Sequence, residues 1–199
     1  MNRKILFLTA SLYLIFIPNK VNARCNFRTS DYIEELSYPN KIKEIKVSIL
    51  KSKKFIANSF RILIDKRENI NPKYRKKYKA KINVFYDFGE CELKAKVWQN
   101  GDWKDHIEWT KSGVLTSLNV KLYNGNILNA VKFKLLIPET RNGLNEILGS
   151  LILRNLGFIA PETFEVAVDI NNKKSIMIFQ EDSQKELLER NLRREAPIF

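Results

Sequence analysis

The sequence is poor in the residues that build metal and thiol sites. Its 199 residues include one histidine and two cysteines, which excludes a zinc finger and a histidine-rich metal cage. Seven glycines and six prolines exclude collagen-like and low-complexity chains. No GxSxG, Walker A or HExxH motif is present. A hydrophobic content of 44%, with 29% charged residues, instead predicts a folded domain of ordinary composition.

The one long apolar run of the sequence lies at its start. Arg3 and Lys4 precede the mostly apolar run 5–17, and small side chains at Val21 and Ala23 suit a signal peptidase. Residues 1–23 therefore read as a secretory signal peptide, with an uncleaved anchor as the alternative. The run is shorter than the roughly 20 residues of a membrane span, and we expect no mature span. The predicted location is secreted or periplasmic.

Cys25 and Cys91 are the two thiols of the chain, and both would enter an oxidising compartment with the exported protein. The simplest expectation is one disulfide between them, which would tie the mature N-terminus to a strand. Two free, buried thiols are the alternative.

The apolar pattern predicts an α+β domain with an antiparallel sheet and one principal helix. Alternation and turn residues predict strands over 44–50, 79–87, 91–98, 117–123, 130–137, 163–170 and 174–180. Residues 55–64 are ambiguous and could form a short helix. The principal helix is predicted over 142–156, where apolar residues recur at three- and four-residue spacing and Gly157 can cap the end. A last amphipathic stretch begins near Ser183.

Basic residues dominate the charge of the chain. Lysine and arginine outnumber the acids by 35 to 22, a net charge of +13. Residues 71–81 carry six of these basic residues around Tyr74 and Tyr78. Such a segment can bind phosphate charge and stack on bases, or form a solvated turn. Because the chain is expected to be exported, an anionic envelope polymer, an acidic protein or no specific partner is favoured over nucleic acid.

Aromatic residues crowd one polar region. Trp98, Trp103 and Trp109 could form a surface for stacking sugars, although packing at the base of a loop is the simpler interpretation. His106 lies between acidic residues in the same region and is interpreted as a surface or packing residue.

The second half resembles a known family. It has a basic strand with Lys132 and Lys134, the turn Arg141–Asn142, a helix ending Leu156–Gly157, and two strands joined at Asn171–Asn172 that lead to Glu181. In this order and spacing, residues 131–182 resemble the spore-coat protein H (CotH) kinase family. Residues 94–109 look like the family's earlier strand and loop. The region is also similar to uncharacterised secreted proteins of marine bacteria.

The resemblance implies the nucleotide-binding lobe of a secreted, atypical protein kinase that uses ATP with Mg²⁺ or another divalent cation. By analogy with a kinase N-lobe, Lys134 would neutralise phosphates, Glu146 would orient Lys134, and loop 99–106 would cover the nucleotide. The full set of candidate nucleotide-binding residues is Lys132, Lys134, Arg141, Glu146, Gln180 and Glu181. The implied domain organisation is a β-rich region over 24–93, followed by an N-lobe-like region over 94–199 that is cut short after the hinge.

The match departs from the family at loop 99–106, which has only one glycine. The family's catalytic carboxylate and metal ligands belong to a following lobe, so no catalytic residue or metal ligand is expected in this chain. Two hypotheses therefore remain. The chain is either the nucleotide-binding lobe of a kinase-like protein, inactive alone, or a secreted binding module whose basic face docks an anionic partner.

Overall fold

The structure, a computed structural model, describes residues 24–27, 36, 38–110 and 113–194. The predicted signal peptide, 1–23, lies outside these residues. Within them, ten strands follow in chain order: β1 Arg24–Phe27, β2 Ile42–Ile49, β3 Tyr78–Tyr86, β4 Gly89–Gln99, β5 Ile107–Thr110, β6 Gly113–Thr116, β7 Leu118–Leu122, β8 Lys132–Leu136, β9 Thr163–Ile170 and β10 Lys173–Glu181. Three helices accompany them: α1 Ser52–Ile64, α2 Asn145–Asn155 and α3 Lys185–Arg190.

Seven of these strands form a closed β-barrel. The sheet runs β4-β3-β2-β9-β10-β8-β7, and β7 pairs back onto β4. Neighbours are antiparallel except β2 and β9, which pair in parallel over 44–47 and 167–170. The expectation of a kinase-like N-lobe with an antiparallel sheet and one principal helix is therefore wrong. The pairing of β2 with β9 and of β4 with β7 closes the sheet, and the helices are small.

Strand β4 holds the two halves of the chain together. Its first residues, 89–92, pair with β1, and its last, 95–99, pair with β7. The domain boundary predicted between 93 and 94 falls inside this strand, and the barrel uses strands from both sides of it.

The barrel interior is filled by the apolar side chains that alternate along each strand. Ile45, Val84, Val97 and Val120 are completely shielded from solvent. Phe179 lies between two other rings, 4.7 Å from Phe133 and 4.8 Å from Phe164 between centroids. Because apolar and polar residues alternate along much of these strands, the pattern of apolar residues predicted most of them.

Helix α1 covers the barrel end where β2 stops and β3 starts. Phe55 is buried there and packs edge-on against Tyr78, with 5.3 Å between ring centroids. The Gln99 side chain accepts a hydrogen bond from Asn58 (3.2 Å) and donates one to Ser59 (2.8 Å). The ambiguous segment 55–64 is thus helical, because its buried residues close the barrel.

Helix α2 is present, but its predicted apolar stripe faces outward. Leu148 is 56% exposed, and Leu151, Ile152 and Leu156 are also exposed. The opposite face meets the barrel, where the Ser150 hydroxyl lies 3.1 Å from that of Thr163. The helix therefore packs through polar contacts on the face that a stripe-based prediction leaves in solvent.

The turns and the disulfide agree with the sequence. Asn171 and Asn172 join β9 and β10 in left-handed conformations, with φ of 51° and 68°. The Asn171 side chain also accepts a hydrogen bond from the Ile49 amide, at 2.7 Å. Cys25 lies directly opposite Cys91 in the β1–β4 register, and the two form the predicted disulfide.

Candidate anion-binding site

A cavity of about 700 Å³ forms a groove between α1 and the start of β3. Its wall includes six cationic side chains and no acidic one: Lys51, Lys54, Arg61, Lys76, Lys77 and Lys79. We call it the basic groove. None of these six cations forms an ion pair with an acid of the described residues. Among the described residues, the groove is therefore a concentrated positive site without ion pairs.

Local sequence explains how the cations of the basic groove converge. Lys54 and Arg61 stand seven residues apart, two turns of α1, and so share one face of the helix. Lys76 and Lys77 belong to the connection that leads into β3. This connection is held against α1 because the Asn58 amide donates to the Tyr74 carbonyl at 2.7 Å. The six-residue basic cluster of 71–81 was visible in the sequence, but the contribution of α1 was not.

A row of lysines continues the positive charge across the outside of the barrel. Register pairs Lys79 with Lys96, Lys96 with Lys121, and Lys121 with Lys132, on four neighbouring strands. We call this the lysine row. With neighbouring strands about 4.8 Å apart, its outer α-carbons lie about 14 Å apart along the curved surface of the barrel. Like charges placed directly opposite one another destabilise a sheet, so this arrangement points to a role outside folding.

The four lysines of the row differ in whether a neighbouring side chain compensates their charge. Lys132 forms an ion pair with Asp182 at 2.5 Å. Lys96 lies over the Tyr123 ring, 5.6 Å from its centroid. Lys79, Lys96 and Lys121 form no ion pair with an acid of the described residues. The three lysines on the side of the basic groove are thus the ones without an ion pair to a described acid.

The predicted lysine–glutamate pair of a kinase lobe is not formed in the structure. Lys134 lies 3.6 Å from Asp182, the carboxylate that it shares with Lys132. Glu146 accepts a hydrogen bond from the Gln180 amide. Gln180 stands opposite Lys134 on the neighbouring strand. The structure thus brings these predicted residues to one region, but each acid and base has another partner.

The contacts of Glu181 stabilise the fold and leave this carboxylate engaged with other residues of the protein. It is almost fully buried, accepts a hydrogen bond from the Glu162 amide at 3.1 Å, and pairs with Arg190 at 2.7 Å. Burial raises the pKa of its carboxyl above the ordinary value, although the Glu162 amide and Arg190 act in the opposite direction. These contacts tie the end of β10 to α3.

Arg141, the last of the predicted residues, lines a second cavity, of about 390 Å³, beside loop 99–106. We call this the loop cavity. Trp98, Trp103, Asn119 and His106 also line it. His106 is buried rather than on the surface. Loop 99–106 was also the segment that the family resemblance predicted to cover a nucleotide.

The pKa of His106 is lowered from its ordinary value. Burial is the main cause, and the nearby charges of Arg141 and Lys134 act in the same direction. Asp105 and Asp102 oppose the shift. The imidazole is therefore kept neutral near pH 7.

The three tryptophans do not share one role. Trp98 and Trp103 both line the loop cavity. Trp109 is 67% exposed and meets the Phe60 ring at 6.0 Å between centroids. Packing at the base of a loop therefore does not describe Trp103 and Trp109, whose rings are mostly open to solvent.

Comparison with protein-family models and with curated proteins finds no match to this chain. Within the described ranges, no helix is long and apolar enough to cross a membrane. The same residues contain no group of three or more side chains suited to holding a metal ion. The Cys25–Cys91 disulfide is typical of a non-reducing compartment.

Proposed function

We propose that this protein is a binding module for an extended anionic polymer outside the reducing cytoplasm. The observation that carries the proposal is the basic groove, in which six cations meet without an acid. Ligand clefts lined by one sign of charge focus the electrostatic field and raise the local concentration of the opposite charge. The groove therefore favours a ligand with several negative groups.

The continuity of charge favours a polymer over a compact anion. Lys79 belongs both to the basic groove and to the lysine row, so the two surfaces are one track. The ligand would lie in the groove and then cross β4 and β7 over Lys96 and Lys121. Binding of this kind releases counterions from the polymer, and its affinity falls steeply as salt rises.

The nucleotide-binding hypothesis stays a prediction. Lys134, its central residue, shares Asp182 with Lys132, which leaves it less free to meet a phosphate than the groove lysines. The nucleotide hypothesis is tested by measuring whether the full chain binds ATP in the presence of Mg²⁺. Binding that is lost in Lys134→Ala and kept in Lys132→Ala would support the nucleotide hypothesis over the polymer one.

The polymer proposal is tested by titrating the protein with dextran sulfate at several salt concentrations. Two double variants each remove two positive charges, one from the groove (Lys54→Gln with Lys77→Gln) and one from the row (Lys96→Gln with Lys121→Gln). Each should weaken binding and reduce the slope of log K against log salt. The slope should fall by about 0.7 to 0.9 for each lost contact, the value per charge for single- and double-stranded nucleic acids.

The matched control removes two lysines from strands β2 and β10, away from the track. Lys43 and Lys174 have exposed side chains, so Lys43→Gln with Lys174→Gln makes the same change in net charge. If the control weakens binding as much as the groove variant, the polymer senses only net charge and the proposed site is wrong. Polyglutamate and single-stranded DNA in the same assay rank an acidic protein and a nucleic acid against the sulfated polymer.

A further inference from the structure

The loop cavity is a neighbour of the basic groove with a different chemistry. Lys77 of the groove lies over the ring of Trp98, which lines the loop cavity, 5.1 Å from the ring centroid. Arg75 also lines the loop cavity, but its charge is engaged by an ion pair with Asp102. The loop cavity is thus a mixed aromatic and polar pocket rather than a cationic track.

Two residues that line this pocket each have a buried nitrogen with no hydrogen-bond partner among the described residues. His106 is only 6% exposed, and its Nδ1 forms no hydrogen bond. The Nε of Arg141 is buried without a partner as well. A buried polar group that lacks a hydrogen bond costs about 1–3 kcal/mol, so native proteins rarely leave two in one place. A ligand oxyanion that reaches them would accept from the Arg141 Nε–H and from His106 in its Nδ1–H tautomer.

The backbone holds His106 rigidly in this position. Gly101 has φ of 92°, and a β-carbon there would lie 1.8 Å from the imidazole Cδ2, so the loop packs directly on the ring. The Ser117 amide donates to the His106 carbonyl and the Asn100 amide donates to the Ser117 carbonyl, each at 2.9 Å. A pocket whose polar groups are fixed in advance binds with little loss of conformational entropy.

The size and lining of the cavity indicate the kind of ligand. A volume of about 390 Å³ corresponds to that of about 13 water molecules. It can hold one sugar acid, which has about 13 non-hydrogen atoms, with some space left over. Trp98 and Trp103 offer flat walls for a ring face, and Asn119 offers an amide for hydroxyl groups. Such a mixed wall favours a hydroxylated ring over a purely apolar one.

We propose that the loop cavity binds an acidic monosaccharide, with its negative group on Arg141 and His106 and its ring against Trp98 and Trp103. The negative group is an oxyanion, either a carboxylate or a phosphate. This inference is independent of the proposed polymer function, because it uses different residues. Ligand efficiencies of small molecules predict a Kd on the order of 1 mM.

The experiment uses the single histidine of the chain as a reporter. The full protein is titrated with glucuronate, glucose 6-phosphate, glucose and acetate, while the imidazole signals are followed by NMR and the tryptophan emission by fluorescence. We expect saturable changes in both signals with glucuronate or the sugar phosphate, and the two acids show which oxyanion fits better. Glucose, which lacks the charge, and acetate, which lacks the ring, should bind at least about tenfold more weakly.

Two variants separate this site from the polymer track. Arg141→Gln should weaken binding of the acidic sugar by about tenfold or more, because it removes a charged hydrogen bond, and should leave dextran sulfate binding unchanged. Lys96→Gln with Lys121→Gln should do the reverse. The inference is overturned if neither acidic sugar moves the His106 signals, if glucose binds equally well, or if Arg141→Gln binds the sugar like the wild type.

Discussion

Loss of the Cys25–Cys91 disulfide tests how much the β1–β4 pairing stabilises the barrel. The suitable change is Cys25→Ser, because Cys25 is exposed and serine adds no new buried polar group. Cys91 belongs to the barrel core, so a serine there would add the cost of a buried hydroxyl to that of the lost bond. The single exposed substitution therefore isolates the covalent link.

The size of the effect follows from the length of chain that the bond closes. The two cysteines are 66 residues apart in sequence. A cross-link over that distance removes entropy from the unfolded chain worth about 4 kcal/mol at 25 °C. For a domain of this size, each kcal/mol corresponds to about 2–4 °C, so Cys25→Ser should melt about 8–16 °C below the wild type.

The measurement is denaturation by heat and by urea, followed by circular dichroism, with and without a thiol reductant. Reduction should bring the wild type down to the midpoint of Cys25→Ser and should leave the variant unchanged. A loss below about 1 kcal/mol in the variant would refute the reasoning. It would mean that the segment before β2 is not restrained by the bond, or that the unfolded chain is already compact.

Two further predictions concern side chains whose environments contradict their sequence pattern. Leu148→Lys, on the exposed stripe of α2, should change the free energy of unfolding by less than about 0.5 kcal/mol in urea denaturation. Ser150→Leu, on the opposite face, should lower it by about 1–3 kcal/mol through overpacking. Equal costs for the two variants would show that the stripe lies in the core. The His106 imidazole should titrate in an NMR series below its ordinary value of 6.5, because burial lowers its pKa. Because the pKa of His106 is lower in the folded protein than in the unfolded chain, its contribution to stability is present above pH 6.5. That contribution is lost as pH falls through the folded pKa. The stability of His106→Gln should therefore lack this dependence on pH.

Local patterns predicted the strands, and non-local contacts decided the fold. The hairpin of β3 and β4 and the turn at Asn171 follow from alternation and turn residues within a few positions. The barrel depends on the parallel pairing of Glu44 with Ala167, more than 100 residues apart. No periodicity in either segment indicates that pairing, which is why the sequence suggested an antiparallel sheet with one principal helix.

The same distinction applies to the candidate site. The basic residues of 71–81 were identified in the sequence, because their density is a local property. The lysine row was not, because Lys96 and Lys121 become neighbours only through the register of β4 with β7. The leucine stripe of α2 does not reveal the orientation of the helix. Such a stripe usually packs inward, whereas here Ser150 and Glu146 form hydrogen bonds to the barrel.

The parallel pairing of β2 with β9 also determines the order in which the molecule can form. The β3–β4 hairpin and the Cys25–Cys91 bond need only the first half of the chain. Barrel closure must wait until residues 167–170 are available to pair with 44–47. Folds dominated by such distant contacts fold slowly, in milliseconds to seconds. During synthesis or export, the edge of β2 opposite β3 would therefore stay unpaired until nearly all of the described chain has emerged. A chaperone or rapid completion of the barrel would protect this edge from pairing with another molecule.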